Sequence, residues 1–186
     1  MKIWVKKVEG TENIPHNTDC VFCPNHSSYL DDFLVPAVPI SQTKRITHMY
    51  VNRNYFKFFL FRWFLNLVQS IPVEVHKVPD KHEVNQRAFR QALGYLKIGD
   101  FICIYPEGRR TIDGELQKAK TGAAKLAITA KVPIVPVGVI GTLEAWPKGK
   151  MFPKLNKKVT LKFGKPISTK GLYKYMGTKQ EKLTTE

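Results

Sequence analysis

"DCVFCPNHSSYLDDFLVPAV", residues 19 to 38, carries the local signals that decide the fold. The apolar run through Cys23 is short and stops at Pro24, as a buried strand does. Ser27 and Ser28 follow, a residue type that favours helix N-caps, and an apolar segment opens after them. The stretch predicts strand, tight turn and helix, with Pro36 and Pro39 keeping that helix short.

The pattern repeats outward from there. "RITHMYVNR" (45–53) has the β-branched and aromatic content of a strand, "NYFKFFLFRWFLNLV" (54–68) reads as a helix that is apolar nearly all round, and "SIPVEVHK" (70–77) returns to strand character. Val84, Ala88, Leu93 and Leu96 recur at helical spacing, with Gly99 where a C-cap belongs. "FICIYPEG" (101–108) reads as a buried strand entering a loop, 121–131 as an Ala-rich helix, and "VPIVPVGVIG" (132–141) and "KKVTLKFGKPI" (157–167) as further strands. Alternating strands and helices predict an α/β (mixed α+β) fold, a single domain over residues 1–175 with a central mixed sheet flanked by helices. Residues 176–186 read as a polar C-terminal tail.

Thirty basic residues against fifteen acidic ones give 186 residues a formal charge of +15, so the expected partner is anionic. Nucleic acid is not the expected one, because the aromatics cluster in one apolar helix instead of interleaving with basic residues on a strand surface. Cys20 and Cys23 make a lone CxxC with no second pair to complete a metal site, so they read as structural thiols and no metal is expected. Three cysteines suit a reducing compartment. No window reaches the roughly 18–20 uncharged apolar residues of a membrane span, and no signal-peptide run opens the chain. The expected location is therefore cytoplasmic.

Two stretches carry chemistry. His26 and Asp31 would stand about 140° apart on a straight helix. With His26 in the turn and Asp31 in the first helical turns, the carboxylate can instead reach the imidazole and fix its tautomer. In "YPEGRRT" (105–111), Glu107, Gly108, Arg109 and Arg110 leave a buried strand, where ligands of open α/β sheets bind. Gly108 permits close backbone approach, and two guanidiniums offer planar forks matched to phosphate oxygens.

Together these stretches resemble the glycerophospholipid acyltransferase family, most closely the lysophosphatidic acid acyltransferases. "NHSSYLD" (25–31) matches the family's Asn-His, four residues, Asp signature. "YPEGRRT" matches its Phe-Pro-Glu-Gly-Thr-Arg-Ser block, aligning Arg110 with the phosphate-binding arginine and putting Arg109 where threonine is usual. "VPIVPVGV" (132–139) and "KFGKPI" (162–167) match the apolar block and closing strand. One departure stands out: Val75 occupies the place of an arginine thought to help hold the acceptor phosphate, which leaves His76 or Lys77 to supply the cation.

The resemblance implies transfer of a fatty acyl group from acyl-CoA or acyl-ACP to the free hydroxyl of a lysophospholipid, with lysophosphatidic acid as acceptor. Another lysolipid acceptor, or hydrolysis by a thioesterase or lipid hydrolase, is the alternative. His26 is then the general base and Asp31 its partner. Glu107, Gly108, Arg109, Arg110 and Thr111 form the substrate-binding loop, with Glu107 either orienting the arginines or binding glycerol hydroxyls. No cofactor is implied beyond the acyl-CoA or acyl-ACP co-substrate, and acyl carrier protein joins the candidate partners. The family's membrane-spanning N-terminal helix has no counterpart here. The expected lipid contact is therefore the segment 55–68, through Phe59, Arg62 and Trp63, on an anionic surface at the inner face of the cell membrane.

Overall fold

The computed structural model describes residues 3 to 175; the segment 176–186 lies outside the described residues. Its strands are β1 (Val5–Glu9), β2 (Val21–Pro24), β3 (Thr47–Asn52), β4 (Ile71–Val73), β5 (Phe101–Cys103), β6 (Ile134–Ile140) and β7 (Val159–Phe163). Its helices are α1 (Asp31–Thr43), α2 (Phe59–Leu67), α3 (Lys81–Lys97), α4 (Gly122–Ala130) and the short α5 (Thr142–Ala145). The strands form one mixed sheet in the order β1-β7-β6-β2-β5-β3-β4, in which β6 and β7 are antiparallel and every other neighbouring pair is parallel.

Strand alternation sorts the side chains into two apolar layers. Phe22, Phe101 and Cys103 point to the face covered by Leu34, Val35 and Val38 of α1, with Phe163 and Leu161 of β7 beside them. Phe22 meets the rings of Phe101 and Phe163 edge-on, at 5.2 and 5.8 Å between centroids. Val21, Ile102 and Ile71 point the other way, against Ala88, Ala92 and Leu96 of α3 and Ala123, Leu126 and Ala127 of α4. Small alanines let these helices sit close, and each large side chain buried this way contributes roughly 1.5–3 kcal/mol. Helix α3 ends as its sequence predicts, with Gly99 at φ 94 just past the last turn. The thiols of Cys20, Cys23 and Cys103 are free; burial pushes Cys23 up to about 12 and the other two well above their ordinary value, so none is a ready nucleophile.

Three sequence expectations change. Helix α1 is not short: it runs 13 residues with Pro36 and Pro39 inside it. The bonds those prolines cannot donate are outweighed by the burial of Leu34, Val35, Val38 and Pro39, and the Ser41 and Thr43 hydroxyls donate to Val38 and Pro39 carbonyls in the last turns. Ser27 and Ser28 are not its N-cap, which is Leu30. The helix expected over 54–68 is interrupted: Asn52 Oδ1 accepts from the Asn54 amide and starts a 3-10 turn (Arg53–Lys57), Phe58 is extended, and only then does α2 begin. Strand β1, at the sheet edge beside β7, is an element the sequence pattern did not reveal. Among the described residues no helix is long and apolar enough to cross a membrane.

Candidate active site

Strands β2 and β5 lie side by side and run the same way, pairing Val21 with Ile102 and Phe22 with Cys103. Their carboxyl ends therefore deliver two loops, 25–30 and 104–111, to one place above the sheet. The loops are bolted together through backbone. The His26 amide donates to Glu107 Oε1 (3.0 Å), the Thr111 amide donates to the His26 carbonyl (2.9 Å), and the Gln117 amide donates to Glu107 Oε2 (3.2 Å). On the other side of β2, the Asn25 amide group donates to the Val139 carbonyl (2.9 Å) and accepts from the Val139 amide (2.7 Å), extending the ladder with β6 by one side chain.

His26 Nδ1 lies 2.9 Å from Asp31 Oδ2. Asp31 is fully buried as the first residue of α1, and the same oxygen accepts from the Ser27 (2.7 Å) and Ser28 (2.8 Å) amides. Two backbone amides already donate to this oxygen, so it serves as an acceptor, and the imidazole tautomer that suits it donates from Nδ1 and leaves the lone pair on Nε2. The imidazole stacks on Tyr105 at 3.8 Å and faces a cavity of about 1290 Å³. Ser28 Oγ accepts from the Leu30 amide and donates to the Trp146 carbonyl, while Ser27 Oγ pairs with Thr142 Oγ1. Both serines thus hold the turn in shape.

The second loop supplies cations to the same cavity. The Arg110 guanidinium lies 3.6 Å over the Tyr29 ring and reaches Tyr55 Oη at 3.5 Å, while its Nη1 is buried without a hydrogen-bond partner. A buried guanidinium nitrogen left open costs stability unless something anionic takes it. Arg109 is exposed and bonds Gln117 Oε1. Gly108 has φ 69, and a Cβ there would meet Lys120 Nζ at 2.5 Å, so the glycine makes room for a lysine that the sequence spacing did not mark. Glu107 spends its oxygens on the amides of His26 and Gln117, and Thr111 is buried, bonding His26 and Asp113. These two residues shape the loop, while Gly108, Arg109 and Arg110 line the cavity.

Asp32 is the residue the sequence reading left unused. Successive helix positions project about 100° apart, so while Asp31 turns to the His26 loop, Asp32 turns to the cavity. Burial pushes its pKa up to about 6; the neighbouring Asp31 carboxylate adds to the rise, and His26, Tyr105 and Arg110 oppose it. A raised carboxylate beside a candidate base marks a functional site more often than a solvated face.

Apolar side chains form the rest of the wall: Phe33, Pro36 and Ile40 of α1, Phe61 and Leu67 of α2, and Met49 of β3. Val75 and His76 border it too, whereas Lys77 does not; a lysine from α3, Lys81, donates to the Val75 carbonyl at 3.2 Å and borders the cavity. Buried Glu74 beside them is held by Arg53, which also grips Asp80 at 2.5 Å. Phe59, Arg62 and Trp63 stand outside the cavity, with Phe59 71% and Trp63 63% exposed.

The profile of the family described as Acyltransferase matches residues 6–140, from β1 through β6 and so across both loops. The chain belongs to this family. Relatives of this acyltransferase-family chain include a chloroplast 1-acyl-sn-glycerol-3-phosphate acyltransferase of Brassica napus, 26% identical over 144 residues, and a 1-acyl-sn-glycerol-3-phosphate acyltransferase of Pseudomonas aeruginosa, 31% identical over 144 residues. Each match takes in 76% of this chain, which spans 39% and 51% of those two relatives. The crystal structure of a 1-acyl-sn-glycerophosphate acyltransferase from Thermotoga maritima superposes with a TM-score of 0.68 at 25% identity, covering 96% of this chain and 68% of that one.

Proposed function

We propose that this chain transfers a fatty acyl group from an acyl thioester, acyl-CoA or acyl-ACP, to the free hydroxyl of 1-acyl-glycerol-3-phosphate. The observation that carries the proposal is one cavity holding both an Asp31-bound imidazole with a free Nε2 and an unpaired Arg110 guanidinium nitrogen. The acceptor oxygen attacks the thioester carbonyl as His26 Nε2 takes its proton, and Asp31 stabilises the imidazolium that forms. The tetrahedral intermediate collapses with loss of the C–S bond, and the thiolate takes the proton back from His26. The step balances without a metal, a redox group or an acyl-enzyme. Arg110, with Lys120 and Arg109 nearby, holds the acceptor phosphate; the apolar wall takes hydrocarbon.

The test is purified protein with acyl-CoA and acyl-ACP against a panel of lysophospholipids, scored by product mass. Free fatty acid released at full rate with no lysolipid present would make the chain a hydrolase instead. Arg110→Ala is expected to raise KM for a phosphate-bearing acceptor by about 10- to 100-fold, the worth of a charge-assisted contact, and to leave KM for the acyl donor within a few-fold. Arg109→Thr should be milder, because its guanidinium is exposed and engaged by Gln117. An effect confined to the donor would reassign both arginines to the coenzyme or carrier protein.

Access to lipid is proposed to run through α2, a peripheral contact on the inner face of the cell membrane. Only Leu65 of this helix is buried, while Phe58, Phe59, Leu60, Phe61 and Trp63 are each more than half exposed, with Lys57 and Arg62 among them. Phe59→Ser with Trp63→Ser should therefore release the protein from anionic vesicles with its melting temperature unchanged. Unfolding on those substitutions would return α2 to the core.

A further inference from the structure

The loop from α5 to β7, residues 146–158, reads "WPKGKMFPKLNKK": five lysines and no acidic residue. It is pinned at several points. Ser28 Oγ donates to the Trp146 carbonyl, the Trp146 indole donates to the Lys150 carbonyl (2.8 Å), the Lys154 amide donates to Ala145 (2.7 Å), and the Trp4 indole donates to the Lys154 carbonyl (3.0 Å). A loop held so firmly has the means to tuck in its apolar groups. Instead Met151 is 79% exposed, Phe152 76% and Leu155 61%. Trp146, Lys148, Lys150 and Met151 also line the cavity that α2 lines with Phe61, Phe64 and Leu67. Exposed apolar groups therefore border the same opening from two separate parts of the chain.

We infer that this loop is a second membrane-insertion site, so that the protein rests on an anionic bilayer on two feet, α2 and the 148–155 loop, with the cavity opening toward lipid between them. Large apolar tips set among lysines are the pairing an interface selects: side chains enter the acyl boundary while ammonium groups stay among acidic head groups. Lysines alone would suit an acidic protein equally well; lipid is favoured because Phe152 and Leu155 are exposed beside loop residues that line the same cavity as α2, whose own aromatics are exposed. The inference deepens the lipid-facing reading of α2 and rests on it for orientation alone.

The experiment uses the full chain and vesicles of phosphatidylcholine with and without phosphatidylglycerol, comparing wild type, Phe59→Ser with Trp63→Ser, Phe152→Ser with Leu155→Ser, and Lys154→Glu with Lys157→Glu. None of these loop residues lines the cavity, so acyl transfer to a short-chain, water-soluble acceptor reports the fold and the chemistry separately from docking. The Phe152/Leu155 variant is expected to lose about tenfold or more in vesicle affinity. The lysine variant should lose part of the advantage that phosphatidylglycerol gives wild type, with less dependence on salt, the rest staying with the α2 foot and the remaining lysines. Vesicle binding by the Phe152/Leu155 variant equal to wild type overturns the inference even if the α2 variant is released. So does a loss confined to acyl-ACP use, which assigns the loop to the carrier protein, or a wild-type dimer that this variant dissociates. Failure of wild type to transfer an acyl group would sink the proposed reaction and leave the docking result standing on its own.

Discussion

His26→Ala is expected to lower acyl transfer by about 10²- to 10⁴-fold, the usual worth of a positioned general base, while far-UV circular dichroism stays as in wild type. The fold survives because Asp31 keeps the Ser27 and Ser28 amides, and the two loops keep the backbone bonds from Glu107 and Thr111 that never involved the imidazole ring. Asp31→Asn should fall in or below that range, since the imidazolium loses its counter-charge. Steady-state rates beside thermal melts decide the matter. A His26→Ala protein with undiminished turnover and an intact fold would remove the mechanism.

Asp32→Asn is expected to stabilise the protein at neutral pH. Asp32 has a folded-state pKa of about 6 against an ordinary 3.8, so the folded chain binds this proton more tightly than the unfolded chain. That preference favours the fold fully below about pH 4, and its contribution is lost as the pH rises through about 6. Above that, ionised Asp32 is a burden of on the order of 2–3 kcal/mol, which the neutral amide removes. Tm at pH 7 should rise by about 5–10 °C, and the difference should vanish at pH 4. Equal shifts at both pH values, or destabilisation at pH 7, would show that the carboxylate is not held in this state. A carboxylate raised in this way, on the cavity wall with His26 and Arg110, is a candidate for the site's chemistry as well as for its scaffold.

The sequence was legible where one local force decides. The run ending at Pro24, the periodicity ending at Gly99 and the continuous apolar stretch of β6 each name their element, because alternation, capping and burial act over a few residues. It misled where packing outvoted local preference. Two prolines inside α1 argue for a break, yet burial of Leu34, Val35 and Val38 carries the helix through. Strand β1 earns its place only by pairing with β7 some 150 residues later, for which no local pattern exists. The site divides the same way. "NHSSYLD" and "YPEGRRT" stood out through their likeness to the family's two motifs, since a charged turn after a buried strand is as often structural, as Glu107 in part is. What Glu107 does, that Lys120 packs over Gly108, and that Asp32 turns inward are facts about neighbours distant in the chain, and no spacing encodes them.

The backbone bolts between the His26 loop and the Arg110 loop make two sequence motifs into a single cooperative unit. The bonds from the His26 amide to Glu107 and from the Thr111 amide to the His26 carbonyl tie the segments, so His26 and Arg110 are expected to share one opening equilibrium. On that coupling, an anion seated on Arg110 is expected to steady His26 as well, without touching the imidazole, which hydrogen exchange of the His26 and Thr111 amides with and without phosphate would show. On the proposed reaction, holding the acceptor and readying the base become one conformational event.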